Sequence, residues 1–149
     1  MTPRLELVDV YEKRFIADHV LFQLLGQRTR EQSISHRAMP TLQEHENFIE
    51  SRPYLAWYLV YVYDNEDGPA HGIATVAGAT YLSKQREIGI FIFESYQKRG
   101  YGSRAVQELM KRHPGKAYAN VNPANAGSAE MFKKLGFELR QLTFAIGDR

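Results

Sequence analysis

Between Ile88 and His113 the chain changes its hydrophobic period once, through a turn rich in glycine. Ile88 to Phe93 is an apolar run of strand length, and Ser103 to His113 sets Ala105, Val106, Leu109 and Met110 in one helical stripe that Pro114-Gly115 ends. The residues between them, Gln97-Lys98-Arg99-Gly100-Tyr101-Gly102 followed by Ser103, must carry the chain from strand into helix. Such a turn aims several backbone N–H groups, and the positive end of the helix dipole, at one spot, which is how backbones bind phosphate. Glycine at 100 and 102 permits close approach of an anion and a positive φ where the turn needs one. Lys98 and Arg99 add positive charge at the same place. The segment predicts a pyrophosphate cradle. It is neither the G-x-G-x-x-G dinucleotide fingerprint, which needs a third glycine, nor a Walker loop, since no Gly-Lys-Ser/Thr occurs in the chain.

A second signature lies downstream. Lys116 to Val121 reads as a strand, followed by Asn122-Pro123-Ala124-Asn125-Ala126-Gly127-Ser128, a short helix from Ala129 to Leu135, and Gly136-Phe137. The two signatures, in this order and spacing, resemble the acetyl-CoA-side motifs of the GNAT superfamily of N-acetyltransferases. The resemblance covers Tyr54 to Phe137 well and the residues before it only loosely.

The resemblance implies acetyl-CoA as co-substrate and a primary amine as acceptor. The thioester carbonyl and pantetheine would lie against the backbone of the strand ending Phe91, Ile92, Phe93. The pyrophosphate would rest on Gln97, Lys98, Arg99, Gly100, Tyr101, Gly102 and Ser103. Asn125 and Ser128 either reach the cofactor from the start of the last helix or cap that helix. Family members often carry a glutamate at the position of Glu87, which takes the amine proton directly or through water. Burial beside an apolar strand would push that carboxyl toward neutrality, as suits a general base; the alternative is a surface partner for Lys84 or Arg86. Glu94, at the other end of the strand, is a weaker candidate. Phe132 lines the cofactor where many members place a tyrosine that protonates the leaving thiolate, and phenylalanine has no proton to give. Tyr81, Tyr96, Tyr118 or water would then replace it, or no positioned acid is needed. Loss of that tyrosine also suits a catalytically silent acyl-CoA-binding regulatory module.

The remaining chain fits the same architecture. Arg4 to Val10 predicts a strand, and Tyr11 to Leu25 a helix with Ile16, Val20 and Leu24 four apart, closed by Gly26. Gln27 to Pro40 reads as a loop or broken helix. Thr41-Leu42-Gln43-Glu44 is a capping box for a second helix, which Phe48 and Ile49 anchor and Pro53 ends. Tyr54 to Tyr63 is rich in aromatic and β-branched residues and predicts a strand; Asp64 to Gly68 turns the chain and His71 to Leu82 returns as its hairpin partner. Glu87 to Phe93 leads into the glycine turn, and Phe137 to Ile146 is the expected closing strand. The expected fold is α/β (α+β): one domain over residues 1–149, with a mixed, mostly antiparallel sheet flanked by about four helices. The family usually ends in two strands around and after its last helix, and fewer residues than that remain here. The last strand is therefore expected to be short or completed by a second copy, with Phe137 to Ile146 at a homodimer contact.

Composition narrows the partners. A net charge of +2 over 149 residues is too mild to imply nucleic acid, although Lys98, Arg99, Arg104, Lys111 and Arg112, offset by Glu108, gather locally. The absence of cysteine excludes disulfides and thiolate chemistry, and no metal is expected. Glu6, Asp9 and Glu12 interrupt the N-terminus, so no signal peptide, membrane span or membrane partner is expected, and the cytoplasm is the default location. His36 and His45 fall in the region that would wall the acceptor and read as structural or surface residues before catalytic ones. Arg28, Arg30, Arg37 and Arg52 would suit a phosphorylated acceptor. An amino-sugar nucleotide, a protein N-terminus or another small amine all fit as acceptors.

Overall fold

The structure is a computed structural model that describes residues 3–28, 39–63 and 74–147. Its elements run β1 (Arg4–Asp9), α1 (Arg14–Gln27), α2 (Leu42–Glu50), β2 (Tyr54–Tyr63), β3 (Thr75–Ser83), β4 (Glu87–Ile92), α3 (Tyr101–Arg112), β5 (Tyr118–Ala119) and α4 (Ala126–Lys134). The strands form one sheet in sequence order, antiparallel throughout except for the parallel pair β4–β5. The expected mixed sheet with four helices is what forms.

The sheet separates two cores. On one face Val10, Leu59, Ala79 and Trp57 pack against Ala17, Leu21 and Leu24 of α1 and Ile49 of α2. On the other, Leu7, Val60, Val62, Leu82 and Ile88 pack against Ala105, Val106 and Leu109 of α3 and Phe132 of α4. Alternation along β4 assigns Ile88, Ile90 and Ile92 to the α3 face and Phe91 and Phe93 to the α1 face.

Local chemistry sets the boundaries. The Asp9 carboxylate accepts from the Tyr11 N–H at 2.8 Å, which holds Val10–Glu12 in a 3-10 turn and delays α1 to Arg14 rather than Tyr11. Arg14 donates to Asp18 at 2.7 Å, to the Glu46 carbonyl at 3.1 Å and to Glu50, so one side chain ties α1 to α2. The capping box forms as read: Thr41 Oγ1 accepts from the Glu44 N–H at 3.1 Å, and the Glu44 carboxylate accepts from the Thr41 N–H at 2.9 Å.

Two further expectations are corrected. The strand expected over Lys116 to Val121 keeps only Tyr118 and Ala119, because the chain leaves β4 after the pair Ile88–Ala119. The closing strand expected over Phe137 to Ile146 does not form: Leu139, Leu142, Phe144 and Ile146 are exposed, and no strand among the described residues pairs with the segment. Extended backbone needs hydrogen-bond partners to persist as a strand, and a two-residue β5 offers almost no edge. The hairpin partner is described over Thr75–Ser83, while the turn Asp64 to Gly68 and the expected start at His71 lie outside the described residues.

Candidate functional site

The glycine turn is built as a backbone device. β4 ends at Ile92, a single 3-10 turn covers Glu94–Tyr96, and Gly100 stands at the N-cap of α3 with φ of 82° and ψ of 5°. That left-handed conformation is open to glycine and strained for residues with a Cβ. Lys98 takes it nonetheless, with φ of 64°, and such strain persists only where the surroundings impose it. One brace is Gln97, whose Nε2 donates to the Ile92 carbonyl at 3.0 Å and ties the turn back to the end of the strand. Among the described residues no side chain caps α3. The N–H groups of Gly102 and Ser103, in its first turn, have no acceptor inside the helix and point out of its end. Gly102 differs from Gly100: a Cβ there would sit 3.4 Å from Met131 Sδ, so this position faces α4 at contact distance.

Beside the turn the sheet splays. Phe93 N–H donates to the Ala77 carbonyl, which makes Phe91 and Gly89 the residues of β4 that bond to β3. Ile88, Ile90 and Ile92 therefore direct their backbone groups toward β5. β5 pairs only with Glu87 and Ile88, so from Ile90 onward these groups, apart from the Ile92 carbonyl that Gln97 takes, face the gap where the strands part. Strand edge and helix end together make a slot lined by backbone donors and acceptors.

The local basic cluster is divided. Arg104 donates to the Pro3 carbonyl at 2.7 Å, and Arg112 lies 3.7 Å from Glu108 with its guanidinium over Tyr58. Lys98 and Arg99 remain at the turn, where Arg99 lies over Tyr96. A groove of about 490 Å³ lies between α3 and α4, lined by Val106, Met110, Lys111, Lys134 and Phe137. It sits roughly two to three turns along α3 from Gly100, away from the slot.

On the other face, Glu87 opens β4 with its carboxylate accepting from Asn120 Nδ2 at 2.6 Å. Its partner is thus Asn120 rather than Lys84 or Arg86; Arg86 instead donates to the carbonyls of His113, Pro114 and Lys116. Gly89 follows, and a Cβ there would fall 2.0 Å from the Tyr81 ring, so that ring lies directly on the strand. Tyr54 stacks on Tyr81 with centroids 3.8 Å apart and planes within 4°. Burial pushes the hydroxyls of both tyrosines up, that of Tyr54 well above the ordinary phenol range, so both are protonated O–H groups at neutral pH. Next along the strand, the Arg28 guanidinium covers the Phe91 ring at 4.4 Å. Glu94 contributes its backbone N–H, which donates to Gln27 Oε1 at 3.2 Å.

The other expected site residues are placed as follows. Asn125 caps α4, its side-chain oxygen accepting from the Ser128 N–H at 3.1 Å, which is the capping half of the two roles weighed for this pair. Phe132 is buried in the α3-side core, its ring edge-on to Phe137 at 5.1 Å. Of the tyrosines, Tyr81 is on the α1 face, Tyr96 lies beside the glycine turn, and Tyr118 is exposed on β5. His45, on α2, is buried near Phe22. Arg52 stacks on Tyr11 at 4.0 Å, while Arg30, His36 and Arg37 lie outside the described residues. The sequence reading missed Asn120, and Tyr54 as a site residue: nothing near either marks it, since each joins the site only through its neighbour across the sheet. Among the described residues no cluster of His, Asp or Glu is fit to hold a metal, and no helix is long and apolar enough to cross a membrane.

A mixed sheet splayed beside a strand–glycine turn–helix defines a class. The acetyltransferase (GNAT) domain family matches residues 4–138, and the chain belongs to that family of acyltransferases. Solved structures share the fold at low identity. A domain from Methanocaldococcus jannaschii aligns with a TM-score of 0.74 at 17% identity, covering 91% of this chain and 89% of that one. YncA from Salmonella typhimurium, solved with its cofactor acetyl-CoA, gives 0.61 at 17% identity over 92% and 80%. A phosphinothricin acetyltransferase from Sinorhizobium meliloti, in complex with acetyl-CoA, gives 0.62 at 20% identity over 95% and 77%. No curated protein matches the sequence.

Proposed function

We propose that the chain, acting as one domain over residues 1–149, is an N-acetyltransferase that moves an acetyl group from acetyl-CoA to a primary amine. The observation that carries this is the uncapped start of α3 at left-handed Gly100, opening beside the unpaired edge of β4. Those residues fit the co-substrate. The amides at Gly102 and Ser103, with Lys98 and Arg99 beside them, suit a pyrophosphate. The Ile90 backbone, at the parting of β4 and β5, suits a pantetheine amide. Acetyl-CoA supplies an activated acyl thioester, so the protein has to position two reactants and manage protons.

The acceptor approaches from the α1 face, where Phe91, Phe93, Tyr54 and Tyr81 make an apolar wall. Glu87 receives the amine proton. It stands four residues before Phe91, roughly 13 Å along an extended strand, so a proton released near Phe91 reaches it through water. Asn120 fixes the carboxylate without neutralising it. With Phe132 in the core, the departing thiolate takes its proton from water. The acceptor is an amino-sugar nucleotide, a protein N-terminus or another small amine, and the reaction belongs in the cytoplasm. A homodimer would cover the exposed apolar segment from Leu139 to Ile146, and light scattering at twice the 17.1 kDa chain mass would support it.

Release of free coenzyme A from acetyl-CoA across a panel of primary amines tests the activity. Amine-dependent release is expected; acetyl-CoA binding with no release for any amine would leave a silent acyl-CoA-binding module instead.

A further inference from the structure

We infer that Arg28 is the acceptor's anchor: the amine substrate carries an oxyanion, a carboxylate or phosphate group, which the Arg28 guanidinium receives beside Phe91. This rests on the acetyltransferase reading above and names the chemical class of its acceptor.

The position is built from both ends. Gln27, the last residue of α1, takes the Glu94 N–H on its side chain, which pins the end of the helix to the turn after β4. Arg28 follows in extended conformation, its guanidinium 4.4 Å from the Phe91 ring centre. Stacking on an aromatic face fixes the plane of the guanidinium and leaves its N–H groups to bond in that plane. Arg28 Nε is shut off from solvent, and among the described residues it meets no hydrogen-bond acceptor. A buried donor on a cation is costly to leave unsatisfied, and folded chains seldom do so without a reason.

The described residues around Arg28 do not supply the missing acceptor. Among the described residues no carboxylate forms an ion pair with Arg28. Glu87 is at the far end of the strand and engaged with Asn120. Among the described residues the Arg28 charge acts on the Tyr54 and Tyr81 hydroxyls, both raised by burial and protonated. Tyr54 and Tyr81 share one hydrogen bond between their hydroxyls, which leaves one phenol O–H beside the fixed cation in this corner, and an oxyanion accepts from planar guanidinium in two parallel bonds. The corner is on the α1 face, so the phosphates of acetyl-CoA at the start of α3 do not account for it.

The test compares matched acceptors, an α-amino acid against its amide and phosphoethanolamine against ethanolamine, in wild type and Arg28→Gln. Wild type should favour the anionic member of at least one pair by about tenfold or more in kcat/KM, and the pair that responds tells carboxylate from phosphate. In Arg28→Gln that preference should collapse to about unity through KM, with kcat and the acetyl-CoA dissociation constant little changed. Equal use of both members by wild type, or a preference that survives Arg28→Gln, overturns the inference. Should no amine release coenzyme A, the acetyltransferase reading fails on its own. Calorimetric titration of the same anionic amines into coenzyme A-loaded protein still decides Arg28: binding that Arg28→Gln weakens supports it, and absent or unchanged binding overturns it. Arg28→Lys, which keeps the charge and loses the fork, gives the same reading if the glutamine variant does not fold, with an intermediate loss of about fivefold expected.

Discussion

The two faces of the sheet meet their reactants in different ways. On the α3 face the groups that would hold acetyl-CoA are backbone amides, aimed by one contiguous segment from Ile88 to Ser103. On the α1 face the acceptor would meet side chains gathered from Arg28, Tyr54, Tyr81, Glu87, Phe91 and Asn120, which only the folded sheet brings together. A backbone site depends on conformation, so it tolerates change in most side chains and fails at one glycine. A side-chain site depends on register, so it can change its ligand one residue at a time. A constant co-substrate and a variable acceptor fit that division.

The largest effect that sharpens the contrast belongs to Glu87. Glu87→Gln keeps the size of the side chain and its tie to Asn120 while removing the base. The kcat should fall on the order of 100-fold with the KM for acetyl-CoA nearly unchanged, and the acidic limb of the pH–rate profile should vanish. Full activity in that variant would make Glu87 a structural partner of Asn120 and break the division of labour on the α1 face.

Gly89 comes next. A Cβ at this position cannot coexist with the Tyr81 ring 2.0 Å away, so Gly89→Ala must displace Tyr81 and with it the stacked Tyr54. The expected cost is about 1–3 kcal/mol of stability, read as a lower melting temperature. The KM for the acceptor should rise while the affinity for acetyl-CoA holds. Equal damage to both ligands would show that the two faces are not independent.

The smallest effect is on pH and comes from the buried side of α2. Burial holds the His45 imidazole below its ordinary value of 6.5, against the opposing pull of Asp18 and Glu46. The unfolded chain therefore takes up a proton at a higher pH than the folded one. Stability is complete above about pH 7 and declines as the pH drops below 6.5, until the folded imidazole protonates too. The slope is at most about 1.4 kcal/mol per pH unit for one histidine. His113, also held low by burial, moves the same way, so His45→Gln should reduce the slope in thermal melts between pH 7.5 and 5.5 without abolishing it. An unchanged slope would show that His45 is not the sensitive group.

The contrast also explains what the sequence disclosed. Gly100 and its neighbours were legible because a strand, a glycine turn and a helix are consecutive in the chain and each has its own periodicity. The capping box at Thr41 and the strand Tyr54–Tyr63 were legible for the same local reason. Asn120 and Tyr54 were not, because their roles come from the strand register. Phe137 to Ile146 failed in the opposite sense: its residues suit a strand, but a strand needs an edge to pair with, and β5 provides two residues. Phe132, singled out as a departure from the family's pattern, is buried with its ring edge-on to Phe137.

The central claim is that backbone conformation at Gly100 holds acetyl-CoA, and calorimetry of Gly100→Val tests it most directly. A Cβ at Gly100 has open space, with no atom within 4 Å, so valine acts only through the φ of 82° that it resists. The variant should fold, with a melting temperature within several degrees of wild type, and should bind acetyl-CoA about 30-fold more weakly or worse. A folded Gly100→Val that binds acetyl-CoA with wild-type affinity would contradict the account.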